Sequence, residues 1–259
     1  MILPNFKAGY VKHSKIEATS IVSTGNQTYT VPAGVTHLAI EMWGAGGGGG
    51  PGRGPLSPKR SGGGGGSGAY TYIVLTEDFK KGDTVNFTVG SGGAGGAAAT
   101  TAGEQGGPTS LNTYVRSGST LATYTNKNAN GGVGGGYPRS NANAPGGSGG
   151  TTNGGISPSS NGSSGIDGVS NTGCASGGSG GDPPMTLISF SGNGGVCNII
   201  TDIASDGFSG STAGQGGGGG GASGSNVFLG GSGANGKVVV TAYARYPSVP
   251  VGPNIFLGF

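Results

Sequence analysis

Side chains able to do chemistry are few in this chain, and their spacing is poor for most reactions. His13 sits in a lysine-bearing N-terminal segment, and His37 falls on the more polar face of an alternating stretch. Neither has a carboxylate pair or a nucleophile motif beside it in sequence, which general acid–base or covalent catalysis would need. Asp167, Asp182, Asp202 and Asp206 are isolated among Gly and Ser, where Asx-turn chemistry is their ordinary role. Cys174 and Cys197 lack nearby His or Cys at metal spacing, and they allow one disulfide or none. G-x-G-x-x-G recurs, but a dinucleotide site needs it between a buried strand and a helix. Residues 177–182 match the first six positions of a calcium-binding nonapeptide. That match is not repeated in tandem, and Pro184 takes the place of the inward apolar residue. No catalytic residue, metal site or cofactor is expected, and the chain is not expected to be an enzyme.

Better candidates for contact chemistry lie in islands between glycine tracts, at residues 51–60, 137–141, 182–190, 196–208 and 226–229. Tyr137, Arg139, Met185, Leu187, Phe190 and Phe208 carry the aromatic, Arg and apolar chemistry that interfaces favour. They are the candidate receptor contacts. The apolar members around Met185, Leu187, Ile188 and Phe190 suit either a buried cap or a contact patch. Arg53, Lys59 and Arg60 form a basic island that suits an anionic surface or a solvated loop. Phe6 near the start, and Tyr246, Ile255, Phe256, Leu257 and Phe259 in the Pro-rich end, are candidate attachment residues.

The elements that must hold these islands are strands and glycine. Of 259 residues, 65 are Gly and 14 Pro, yet only 9% are charged. So much Gly and Pro points to low complexity, while so little charge means that no self-repulsion holds the chain open. The net charge of +3 is too small for a phosphate-neutralising surface, so nucleic acid is not an expected partner. No apolar run approaches a membrane span, so no membrane insertion is expected. The first residues lack the h-region of a signal peptide.

Alternation marks strands at residues 28–43, with a turn or corner at Pro32-Ala33-Gly34, then at 70–75, 84–89 and 237–244. Residues 110–115 and 119–124 read as a hairpin about Ser117-Gly118. Leu38, Ile40, Met42, Phe87 and Val239 are expected to face one core. No window has helical periodicity, so essentially no α-helix is expected. Between the strands, residues 46–50, 62–66 and 216–221 are uninterrupted glycine, and Gly-Gly-X units fill residues 92–181. Flexible linkers would account for them, but would leave far more loop than one domain usually holds. The alternative is a left-handed threefold helix whose free N–H and C=O groups pair between neighbours, which glycine alone packs closely enough to allow. Packed glycine helices are the expectation taken here.

The run from Tyr29 to Gly50, Lys81-Gly-Asp-Thr-Val-Asn-Phe-Thr-Val-Gly, Gly107-Pro-Thr-Ser-Leu and Gly233-Ala-Asn-Gly-Lys-Val-Val-Val-Thr occur in order. Together they resemble a glycine-rich domain widespread in bacteriophage tail and virion proteins, also similar to an element of the anaplastic lymphoma kinase receptor family. The resemblance implies an all-β fold: a β-sandwich of jelly-roll or tumour-necrosis-factor-like type, with long insertions forming packed polyglycine II helices. Tail-fibre tip adhesins of T-even-like phages are similar in architecture. On this basis residues 1–24 are expected to form an N-terminal attachment segment, 25–245 the domain and 246–259 an extended attachment segment. The expected function is that of a bacteriophage virion protein, a tail or tail-fibre tip adhesin binding a host receptor non-covalently. The alternative is a structural decoration, collar or fibre-adaptor protein that binds no receptor. Expected partners are other virion structural proteins, a bacterial cell-surface receptor and further copies of the chain. The expected location is the phage particle, assembled in the host cytoplasm.

Overall fold

Among the described residues of the computed structural model, regular structure is β throughout, with no helix. Described are residues 13–54, 58–140, 142–172, 174–184, 192–198, 203–222 and 226–245. The chain opens with β1 (His13–Ile21), β2 (Gly25–Thr30) and β3 (His37–Trp43), followed by two short strands, β4 (Gly52–Arg53) and β5 (Lys59–Arg60). Next come β6 (Tyr70–Leu75), β7 (Thr84–Val89), β8 (Thr109–Arg116) and β9 (Ser119–Thr123). Short pieces follow: β10 (Asn128–Ala129), β11 (Thr152–Asn153), β12 (Ile156–Ser160), β13 (Ser170–Asn171), β14 (Cys197–Asn198), β15 (Ile203–Ala204) and β16 (Val227–Phe228). The long strand β17 (Lys237–Arg245) closes the fold.

Two antiparallel sheets form a sandwich. One runs β1-β17-β3-β6-β12; the other runs β11-β10-β8-β7-β2, with β9 paired to β8. Leu38, Ile40 and Met42 of β3, with Ile73 and Leu75 of β6, face Val85, Phe87 and Val89 of β7 and Leu111 and Tyr114 of β8 in one buried cluster. The alternation of period two puts these residues on inner faces. Val239 is the exception to the expected set. β17 pairs Val238 with Met42 and Val240 with Ile40, so Val238, Val240 and Ala242 fill the core, while Val239 lies opposite Glu41 on the outer face. Pro32-Ala33-Gly34 is a corner between sheets, with Gly34 at φ 81°. The β8–β9 hairpin turns through Ser117 and Gly118 at φ 49° and 80°, both left-handed, as a two-residue primed turn requires. Residues 13–21, inside the expected N-terminal attachment segment, are strand β1 on the edge of the first sheet.

One polar cluster stiffens the sandwich rim. Asp83 is buried; its carboxylate accepts from Arg116 Nε at 3.0 Å and Nη2 at 2.9 Å, from Lys80 N at 2.8 Å and from Tyr114 Oη. Arg116 holds the Asp83 carboxyl well below the usual carboxylate range. Burial first, then the Asp83 bond, pushes the Tyr114 phenol up to about 12.

The glycine insertions leave one end of the sandwich as direct continuations of its strands. Residues 44–50 extend β3 outward and residues 61–69 return into β6. Their hydrogen bonds repeat every third residue. The N–H groups of 44, 47 and 50 donate to the carbonyls of 69, 66 and 63, those of 45 and 48 to 107 and 104, and those of 46 and 49 to 234 and 231. The carbonyls of 45 and 48 accept from 132 and 135, those of 46 and 49 from 93 and 96, and those of 47 and 50 from 217 and 220. These N···O distances are 2.8–3.0 Å. Such a threefold repeat with no bond inside the segment is the polyglycine II arrangement, and it surrounds residues 44–50 on six sides. Residues 61–69 are enclosed likewise by 44–50, 130–136, 147–150, 163–169, 178–181 and 214–220, and residues 216–222 by a third such ring.

Enclosure explains the glycine. A methyl group on Gly49 would overlap the Gly218 carbonyl, and one on Gly219 the Gly62 carbonyl. The three uninterrupted glycine runs therefore lie in the three enclosed helices. Segments on the bundle's faces spare one position in three: Leu229, Ser232 and Asn235 point outward, as do Ser148 and Thr151. The segment 163–170 leaves two positions in three exposed and forms a corner.

Gly219→Ala should lower stability by about 1–3 kcal/mol through overpacking, while Ser232→Ala should stay within about 0.5 kcal/mol of wild type; thermal denaturation compares them, and equal melting would refute enclosure. The depressed Asp83 carboxyl contributes stability that is full above about pH 4 and lost as pH falls through its folded-state value. Asp83→Asn should accordingly show a smaller drop in urea midpoint between neutral and acid pH than wild type does.

Candidate functional site at the distal face of the bundle

The site is fixed by which end of the bundle each connection occupies. Chain segments 44–50, 92–96, 130–136, 163–169, 192–195 and 216–222 run outward from the sandwich, and their partners run back. Among the described residues, 51–54, 58–60, 97–102, 137–140, 142–143, 170–172, 196–198, 203–204 and 226–228 therefore lie at the distal end. Three of the turns knit into a small four-stranded sheet, β13-β5-β4-β16, in which Arg53 lies directly opposite Arg60 and Ser170 opposite Arg60 on its other side. A second ladder, β14–β15, pairs Cys197 with Ala204. Cys174 and Cys197 form a disulfide with Cα atoms 5.9 Å apart, so the sequence's open choice resolves to a bridge. It joins Cys174, shortly after β13, to the β14–β15 ladder.

Tyr137 and Arg139 meet in one turn. They line an open pocket of about 480 Å³ with Ala102, Gly136, Ala142, Asn143 and Pro145. The Arg139 guanidinium lies 5.9 Å from the Tyr137 ring centroid, and Arg139 N donates to Ala142 O at 3.2 Å, which closes the turn. Arg60 Nη1 reaches Asn143 Oδ1 at 3.4 Å, so the basic strand β5 abuts the pocket. Asp167 Oδ1 accepts from Gly146 N at 2.7 Å, and Asp206 Oδ1 accepts from Leu229 N at 2.7 Å; each carboxylate links two neighbouring chain segments of the bundle.

One expected member is elsewhere. Phe208 is 55% exposed but sits on the bundle's flank: its N donates to Asn193 O and its carbonyl accepts from Gly218 N, well below the distal turns. Residues 182–184 lie at the sandwich end, where Pro184 O accepts from Trp43 Nε1 at 3.2 Å. The direction of the 175–181 segment decides this, because it runs back toward β3. Met185, Leu187 and Phe190, and the attachment residues Phe6, Tyr246, Ile255, Phe256, Leu257 and Phe259, lie outside the described residues. Asn143 escaped the sequence reading, and no pattern signals it; the partnership of Arg60 with the Tyr137 turn is equally invisible there. His37 stacks on Tyr243 at 4.8 Å across the outer face of the first sheet. Among the described residues, no group of three His, Cys, Asp or Glu could hold a metal ion.

The model of the glycine-rich domain family matches residues 21–243, which cover the second sheet, the first sheet from β17 to β12, and the whole bundle. The chain belongs to that family. No curated protein matches it. In this glycine-rich domain the matched region begins at Ile21, the last residue of β1, and ends at Tyr243 in β17.

The bridge closes a loop of 23 residues in sequence, for which chain entropy alone gives about 3 kcal/mol. A Cys174→Ser/Cys197→Ser variant should lose stability of that order in urea unfolding. An unchanged midpoint would mean that the bridge does not form in solution.

Proposed function

We propose that this chain is a bacteriophage virion protein, a tail or tail-fibre tip adhesin that binds a host cell-surface receptor non-covalently, without catalysis or cofactor. One observation carries the reading: the molecule is polar end to end. His13 and Arg245 pair side by side at the pole of the sandwich opposite the bundle, because Lys237, at the other end of β17, pairs with Trp43 where the bundle begins. Attachment to the particle through the two ends of the chain therefore leaves the Tyr137 pocket facing outward. Loops on a stiff scaffold suit recognition, since little ordering entropy is lost on association. The resemblance to glycine-rich domains of phage tail proteins supports the same setting. Partners on this reading are other virion structural proteins at the sandwich pole and a bacterial receptor at the distal face. On a particle assembled in a reducing cytoplasm, Cys174 and Cys197 meet oxidising conditions after release.

Tyr137→Ala/Arg139→Ala should leave the unfolding free energy within about 0.5 kcal/mol of wild type and reduce adsorption of the purified chain to host bacteria. Undiminished adsorption by that variant would remove the pocket from the receptor contact. Failure of the wild-type chain to adsorb would favour a purely structural part of the virion.

A further inference from the structure

The distal sheet sets two cations against each other. Arg53 and Arg60 are direct partners across β4 and β5, so both side chains leave the same face. Like charges placed directly opposite destabilise a sheet. Among the described residues, neither they nor Arg139 forms an ion pair. Moreover, the Nε atoms of Arg53 and of Arg60 are both buried without a hydrogen-bond partner. A buried donor left unpaired costs its full desolvation, and here two such donors belong to residues that are direct cross-strand partners. Asp167 Oδ1 accepts from Gly146 N, and among the described residues its carboxylate forms no ion pair with either arginine. An oxyanion seated between the two arginines would satisfy both Nε groups and remove the repulsion at once, since the guanidinium fork matches phosphate and carboxylate oxygens.

The pocket lies beside Arg60. Arg60 touches its rim through Asn143, and Tyr137 supplies a ring and Asn143 an amide within about 480 Å³. That volume suits a small ligand held by an apolar wall and a few polar groups. We propose that the distal face is a binding site for an acidic glycan, whose phosphate or carboxylate substituent is clasped by Arg53 and Arg60 while the sugar ring it decorates enters the Tyr137–Asn143 pocket. The inference rests on the adhesin reading and names its ligand class. A nucleic acid would need an extended track of cations rather than one clasp, and the chain's net charge is only +3.

The test uses the full chain with three probes, glucose 1-phosphate, glucuronic acid and glucose, titrated by NMR at millimolar concentration. At least one acidic sugar should bind tenfold or more tightly than glucose, and weaken as salt is raised. The stronger of the two identifies phosphate or carboxylate as the group recognised. Arg53→Gln/Arg60→Gln should abolish that preference while melting at or above the wild-type temperature. Acidic sugars binding no better than glucose, or binding the double variant equally well, would overturn the site. Host adsorption separates the two readings. Equal adsorption by wild type and the arginine variant refutes the clasp and leaves the adhesin reading standing; acidic-sugar binding by a wild-type chain that does not adsorb to bacteria refutes the adhesin reading alone.

Discussion

Everything in this fold depends on one steric constraint: where neighbouring backbones bond to each other on six sides, there is no room for a Cβ. Around residues 44–50 every peptide group is turned toward a different neighbour in a threefold cycle, and carbonyl oxygens occupy the space that side chains would fill. Glycine also has the largest conformational entropy to lose on ordering. Each glycine helix lacks internal hydrogen bonds, so it holds its shape only inside the array. The sandwich supplies the boundary condition. β3, β7, β10 and β12 each enter the bundle as a continuing strand, and β6, β8, β11 and β17 each receive one back, so members are aligned before they pair.

Composition along the chain is therefore a map of depth. Uninterrupted glycine marks the three enclosed helices, Gly-Gly-X marks faces, and stretches such as 163–170 with two outward positions in three mark a corner. This much was legible, because packing alone dictates which residue type is tolerated at each position. The strands were legible for the same reason, from alternation. The phase of β17 was not: Val238, Val239 and Val240 are chemically identical, so only pairing with β3 decides which face each takes.

The site was half legible. Tyr137 and Arg139 share one turn, so their proximity needed no long-range information. Asn143 and Arg60 meet through the lateral order of helices in the bundle, which is a matter of hydrogen-bond pairing among near-identical glycine segments and leaves no trace in residue type. Counting segment directions from the strands would have placed residues 182–184 at the sandwich end and Phe208 on the flank. The Cys174–Cys197 bridge likewise joins two distal turns brought together by the lattice, at a spacing that allows bonded or free thiols equally.

A rigid, directional bundle gives the molecule an attached pole and a presented pole, and its recognition chemistry is confined to turns where side chains are again permitted. The lattice is thus the claim on which both fold and function stand. Amide hydrogen exchange, resolved by NMR for residues 46–50, 62–66 and 216–221, tests it most directly. Enclosed glycine helices predict protection comparable to that of the core strands β3, β6 and β17, lost only on global unfolding. Exchange of these glycines at the rate of an unstructured chain would contradict the account.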